Sequence, residues 1–296
     1  MSRRAKIFTG LGVYIAGLVL LVAVAGSAGK NEEYQPQNEF KLEPWVNLPG
    51  PMDINKAVLY VVVAAVLTVW AMVYIAHRMQ DRPNRVQTLV ETVFNVMRDT
   101  ITRNNMDASM AAKWFPFIAT LFLFIWISNL IGYIPLPTNS EEPIALFGLE
   151  IPSLAIYAAT ANLSVPLVLS IVVFIAFTVE GIRAKGPIGY LKGLVPKGVT
   201  GGMAVFIFFL ELFSNLLRLI SLSVRLFANI LAGHLIILFM AGGIAVLLGI
   251  AAVGWMTLPL GVILFIFEVG LVATLQAFIF ATLASIYFGG AVAQEH

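Results

Sequence analysis

The chain of 296 residues contains no cysteine and only three histidines. Disulfides, thiol nucleophiles and cysteine-held metals are thereby excluded, and His77, His234 and His296 are not at the helical spacing that a haem ligand pair would need. Charge is almost as scarce: Lys, Arg, Asp and Glu make up 11% of the residues, against about 25% in a soluble domain. There is no His-Glu-x-x-His, no Gly-x-Ser-x-Gly turn, no phosphate-binding glycine loop and no pair of aspartates on facing spans, so neither a catalytic set nor a cofactor is implied. No internal repeat is visible either, which argues against a stand-alone secondary transporter. The net charge of +2 reflects a few basic loops and not a basic face, so nucleic acid is not an expected partner.

What the chain has in excess is apolar residues, at 59%, with a mean hydropathy of +0.91. This composition predicts an all-α polytopic membrane protein with five to six membrane helices. Residues 1–29 begin Met-Ser-Arg-Arg-Ala-Lys and continue as an apolar run, Ile7 to Ala28, ending in small residues. That pattern fits a signal peptide cleaved near Ala28 and an uncleaved signal anchor equally well. Residues 30–56 are polar, acidic and punctuated by Pro36, Pro44, Pro49 and Pro51, and are expected outside. Residues 57–296 read as a single membrane domain.

Within it, Ala57–Ala76 is a span closed by His77, Arg78, Arg82 and Arg85, which mark a cytoplasmic end. From Asn84 to Asn105 the apolar residues Val86, Leu89, Val90, Val93, Phe94, Met97 and Ile101 recur at three- and four-residue steps. This predicts a cytoplasmic amphipathic surface helix, either lying on its own protein or presenting a docking face. Trp114–Ile134 returns outward, ahead of a loop carrying Glu141, Glu142 and Glu150. Ser153–Ile182 goes back in, interrupted by Pro166, and the loop Arg183–Lys197 is basic without an acid. The basic N-terminus and the C-terminus both fall on the cytoplasmic side.

The last third is unusual. Met203–Met240 would reach roughly 57 Å as one helix and Trp255–Phe288 about 51 Å, against a hydrocarbon core of about 30 Å. With a Gly-rich break at Gly242–Gly243 between them, they predict two long, strongly tilted antiparallel helices. The first carries Glu211, Arg218, Arg225 and His234, and a charge at mid-membrane costs roughly 2.5–3.5 kcal/mol. Glu211, Arg218 and Arg225 follow one slowly drifting stripe, Ser221 and Asn229 flank it, and His234 falls on the opposite side.

Arg225 stays protonated, so it cannot relay protons; it can pair with an anion, lower the pKa of a nearby carboxylic acid or repel cations. Two readings stand side by side: an electrostatic gate, and an ion pair with Glu268 or Glu211 that holds helices together. Glu211, His234 and Glu268 are the groups able to take and release protons, although a histidine alone is as readily a hydrogen-bonded core residue. Asn129, Ser221, Asn229 and Gln276 are suited to line a water path or to join helices.

Arg-Leu-Phe-Ala-Asn-Ile-Leu-Ala-Gly-His (Arg225–His234), followed by Leu-Gln-Ala-Phe-Ile-Phe (Leu275–Phe280) and Tyr287, closely resembles subunit a of the membrane sector of F-type ATP synthases. Asn129, Gly-Tyr-Leu-Lys (Gly189–Lys192) and Glu211, fourteen residues before the arginine, fit the same pattern. The resemblance covers roughly Asp53 to the C-terminus. It implies a non-catalytic, proton-translocating stator with two aqueous half-channels meeting a rotating c-subunit ring on either side of Arg225, and the arginine-rich start with its small residues, which looks like a bacterial export signal, points to the bacterial plasma membrane. Arg225 would favour deprotonation of the arriving ring carboxylic acid and block leak between the half-channels. Glu211 would belong to the cytoplasmic half-channel, with Asn229, His234, Glu268 and Gln276 near the arginine or the external one. Arg218, Ser221, Asn129 and Tyr287 would support them. The implied partners are the c-ring, peripheral stalk b subunits docking on Asn84–Asn105, the rest of the complex and membrane lipid, and the pair of His234 and Glu268 favours H⁺ over Na⁺ as the coupling ion. Two departures stand out. The His–carboxylate pair at His234 and Glu268 is exchanged relative to some members of the family, and Glu268 lies eight residues before Gln276, one more than the family spacing.

Overall fold

A computed structural model describes residues 3–25, 42, 44–46, 54–80, 82–134, 144–146, 149–151, 157–196 and 199–292. The external segment 30–56, the acidic loop with Glu141 and Glu142, the Ala28 cleavage position and the C-terminal Gln-Glu-His lie wholly or mostly outside these residues. The helices are α1 (Arg3–Ala25), α2 (Lys56–Arg78), α3 (Arg85–Asn95), α4 (Ala108–Gly132), α5 (Ser164–Lys185), α6 (Pro187–Lys192), α7 (Gly202–Leu238), α8 (Ile244–Leu248), α9 (Ala251–Phe267) and α10 (Ala273–Val292). Five helical stretches are long and apolar enough to cross a membrane: Lys56–Arg78, Ala108–Gly132, Ser164–Lys185, Gly202–Leu248 and Ala252–Val292. The all-α polytopic expectation holds, with two small additions. β1 (Pro44–Val46) pairs antiparallel with β2 (Ile54–Asn55), and β3 (Ile144–Leu146) with β4 (Leu149–Ile151).

The helix ends follow local chemistry. Asn55 caps α2 by accepting from the Val58 amide at 3.2 Å, and Asn84 caps α3 by accepting from Gln87 at 2.8 Å. The span expected from Ser153 begins instead at Ser164, after a 3-10 turn at Ala159–Ala161. Pro166 does not interrupt it, because as the third helical residue its missing amide hydrogen would have had no intrahelical acceptor. The last run starts at Ala251 and not Trp255, since Gly249 in the left-handed region (φ 67°) ends α8 and turns the chain.

The described residues fall into two compact units. The larger holds those of Pro44–Pro135, Ile156–Ile230 and Val272–His296. Its centre is α10 packed between α4 and α5, with α2 on the far side of α4. Phe288 is fully buried there against Trp114, Phe117 and Phe177, the nearest ring centroid being Trp114 at 4.2 Å. Lys113 and Glu180 form an ion pair between α4 and α5. Glu180 is a charge inside an apolar run that sequence reasoning passed over.

The smaller unit holds the described residues of Met1–Glu43, Leu136–Ala155 and Leu231–Leu271. Its backbone reverses through a π-helical turn at Phe239–Gly243, where Gly242 leaves helical geometry, as the glycine pair predicted. Three close approaches define the return. A Cβ built at Gly254 would meet the Ala245 side chain at 3.1 Å, one at Gly261 the Met240 backbone at 3.2 Å, and one at Gly233 the Glu268 carboxyl group at under 3.0 Å. As one residue number rises its partner falls, so these segments run antiparallel, and a glycine at each crossing is what lets membrane helices come this close.

Candidate functional site

The functional stretch of α7 is built on a four-residue period. Leu222, Leu226 and Ile230 are at most 3% exposed and turn α7 into the larger unit. The opposite face, with Ser221, Val224, Arg225, Ala228 and Asn229, is exposed. Within its unit Arg225 has no ion pair or hydrogen bond among the described residues. The carboxylate offered as its partner, Glu211, is bonded elsewhere: Arg218 reaches Glu211 Oε1 at 3.3 Å and Asn215 Oδ1 at 3.2 Å. The pairing alternative for Glu211 is therefore corrected in favour of Arg218, seven residues away and on the same stripe.

Arg218 also lies over the Tyr287 ring, 6.0 Å from its centroid, joining α7 to α10. Glu211, Arg218 and Tyr287 line one cavity of about 450 Å³ together with Asn215, Lys185 and Tyr190. Three of the expected residues are thus gathered at one polar opening, and three further ones join them. Asn215 was legible, since it stands four residues after Glu211 and three before Arg218 and must share their face. Tyr190 was not. Its ring packs where a Cβ at Gly181 would sit, a contact between α5 and α6 that spacing alone does not reveal.

In the smaller unit, Glu268 is 9% exposed and His234 half-buried. The carboxyl group of Glu268 lies against Gly233, the residue next to His234, so helix register brings the exchanged pair to neighbouring positions. Gly254, Gly261 and Glu268 follow each other at seven-residue intervals along one seam, and Glu268 continues that seam where its partner is again a glycine. Glu268 also opens a π-helical turn, Glu268–Val272, which takes up one residue more than an α-turn.

Two of the candidate site residues are buried. Asn129 is fully buried; its Nδ2 donates to the Ala273 carbonyl at 3.2 Å and its Oδ1 accepts from Thr160 Oγ1 at 2.6 Å. It ties α4 to α10 and to the 3-10 turn, the interhelical role that a single amide commonly has. Gln276 is 5% exposed on α10, with no hydrogen bond among the described residues.

These features define a class: a polytopic membrane protein with ionisable side chains placed along its longest apolar helices, two of them exposed arginines, of which Arg218 is paired with Glu211 and Arg225 has no ion pair among the described residues. The comparisons narrow it. Residues 58–289 match the family of the ATP synthase A chain. ATP synthase subunit a of Bradyrhizobium diazoefficiens is 33% identical over 270 residues, covering 88% of this chain and 98% of the relative. The subunit a of Rubrobacter xylanophilus is 32% identical over 80% of this chain and 83% of its own, and that of Pelagibacter ubique 31% over 88% and 98%. The chain belongs to the ATP synthase A chain family.

Proposed function

We propose that this chain is the proton-translocating stator of a rotary F-type ATP synthase, with no catalytic site of its own, and that Arg225 is the residue facing the c-ring. The carrying observation is Arg225 itself, exposed on α7 and unpaired within its unit. An arginine left against hydrocarbon costs roughly 2.5–3.5 kcal/mol, so a protein surface that brings an anion to it is the economical explanation. A ring carboxylate arriving there would lose its proton more readily beside a fixed guanidinium. Ala228, on the same face, leaves room for close approach.

The cavity of Glu211, Asn215, Arg218 and Tyr287 is suited to be the cytoplasmic half-channel, with a carboxylate that can exchange protons and polar walls to hold water. His234 and Glu268 then serve the external half-channel, and Asn229 and Gln276 the region around the arginine. Ser221 supports Arg225 from one turn away. The basic loop Arg183–Lys197 supports a cytoplasmic orientation for the cavity end, and with it for the N- and C-termini, in a bacterial plasma membrane. The His–carboxylate pair favours H⁺ as the coupling ion. Residues 1–29 act as signal or anchor, 57–296 as the membrane domain. Val86 and Leu89 of α3, exposed at 72% and 62%, make Asn84–Asn105 the docking face for the peripheral stalk.

The test is ATP-driven acidification of inverted vesicles carrying Arg225→Ala, beside ATP hydrolysis by the detached head and passive leak after the head is stripped. Loss of pumping with normal assembly and hydrolysis, accompanied by added leak, is the expected result. Unchanged pumping would remove Arg225 from the mechanism and return the chain to a stand-alone transporter reading.

A further inference from the structure

The surface helix α3 does not end as an α-helix. Its last turns, Val96–Arg103, are π-helical, with the Asn104 amide donating to Asp99 O at 3.2 Å and Thr102 Oγ1 to Met97 O at 2.8 Å, both five residues back. In an α-helix, residues five apart diverge by about 140°, whereas a π-turn, closing on the fifth residue, brings them nearly above one another. Arg98 and Arg103 are five apart. Both line the same cavity of about 590 Å³, whose remaining walls are Phe94, Met106, Ala108, Ala111, Ala112 and Phe115.

The cavity is therefore apolar with two guanidinium groups. Phe94 and Phe115 close one wall edge to face at 5.0 Å. Asp99 occupies part of the charge of Arg103, at 3.0 Å, but Arg98 has no hydrogen-bond or ion-pair partner among the described residues. The site also sits where the amphipathic helix meets the first turns of the span Ala108–Gly132, the kind of junction at which a surface helix meets lipid headgroups. A bidentate cation over an apolar recess at that depth matches a molecule with a phosphate at one end and a hydrocarbon chain at the other.

We propose that this recess binds an anionic glycerophospholipid, its phosphate held by Arg98 and Arg103 and the start of an acyl chain lying on Phe94, Met106 and Phe115. The site is independent of proton translocation and of the Arg225 reading.

Native mass spectrometry of the full chain in its purified complex, exchanged into detergent with equal phosphatidylglycerol and phosphatidylcholine, tests it. The expected result is retained phosphatidylglycerol, lost roughly ten-fold in Arg98→Gln/Arg103→Gln, because each basic residue adds about a five-fold preference and Arg103 is shared with Asp99. Ala112→Phe, which fills the recess and leaves both arginines, is expected to lose the lipid as well, and guards against a misassembled double variant. On the unaltered protein, a photoreactive phosphatidylglycerol is expected to label between Phe94 and Phe115. Equal retention of phosphatidylcholine, unchanged retention in an assembled variant, absence of label in that segment, or a peripheral stalk chain crosslinking into the recess would each overturn the proposal.

Discussion

Gly233→Ala is the substitution that separates proton handling from packing most cleanly. A methyl group there falls closer than 3.0 Å to three atoms of the Glu268 carboxyl group. Ordinary carbon–heavy-atom contact begins near 3.5 Å, so the carboxylate must retreat by about 1 Å. The stability terms nearly cancel: overpacking costs about 1–3 kcal/mol, while alanine gains about 1 kcal/mol over glycine within a helix. The obstacle is the end of a flexible side chain, which places the overpacking cost at the low end of that range. Assembly is therefore expected to persist while the carboxylate beside His234 is displaced, and ATP-driven acidification of inverted vesicles should fall several-fold. Glu268→Asp shortens the side chain by one methylene, about the distance required. Gly233→Ala/Glu268→Asp should thus pump better than Gly233→Ala alone, with complex yield equal in all variants. If Gly233→Ala pumps normally, or if the double variant is worse than both single ones, Glu268 does not act from the position beside Gly233.

Other substitutions probe the frame. Gly289→Ala sets a methyl against the backbone oxygen of Asn105, which cannot rotate away, whereas Gly290 has nothing within 4 Å. Gly289→Ala is expected to lower the melting temperature of the detergent-solubilised protein by a cost of about 1–3 kcal/mol, and Gly290→Ala to leave it unchanged or raised. Asn129→Ala strands Thr160 and the Ala273 carbonyl, an expected loss of about 2 kcal/mol in the same assay, and proton leak is expected to stay unaltered because its amide is engaged in interhelical hydrogen bonds. Asp107 caps α4, and hydrogen bonds from the Ser109 hydroxyl and amide hold its carboxyl below the usual 3.8. A lowered pKa means that the cap is complete above 3.8 and is lost as pH falls through the folded value. Exchange of the Ser109 amide, corrected for its intrinsic rate, should accelerate in that acid window and show no such step in Asp107→Ser.

Much of this arrangement was legible because membrane helices announce themselves through length and charge. The five spans, the glycine break and the stripe of Glu211, Arg218 and Arg225 follow from hydropathy and a period near 3.6. The places that escaped share a physical cause: each depends on the backbone leaving that period or on contacts distant in the chain. The π-turns at Val96 and Glu268 each insert a residue that hydrophobic periodicity does not flag, and the turn at Val96 alone brings Arg98 and Arg103 to one recess. The true start at Ser164 was hidden because an apolar approach resembles a span until the 3-10 turn is seen. Tyr190 entered the polar cavity through a glycine, Gly181, whose role lies in what it leaves open.

The two arginines of α7 show why spacing does not assign roles by itself. Seven residues apart, Arg218 and Arg225 occupy nearly equivalent angular positions on the helix, so angle alone does not say which holds Glu211. Glu211 lies seven residues before Arg218 but fourteen before Arg225, about 10 Å and 21 Å along the axis at 1.5 Å per residue. A side chain spans the first gap and not the second. Arg218 is thereby neutralised, with Tyr287 beneath it, and its charge stays within the cavity it lines. The charge on Arg225 is left over within its unit, with no ion pair or hydrogen bond to the neighbours on its face, Ser221, Val224, Ala228 and Asn229. Moving an acid to within one helical turn of it, as in Ser221→Glu, would supply the missing partner. It should silence pumping as completely as Arg225→Ala while leaving the guanidinium in place, a result that a merely structural Arg225 would not give.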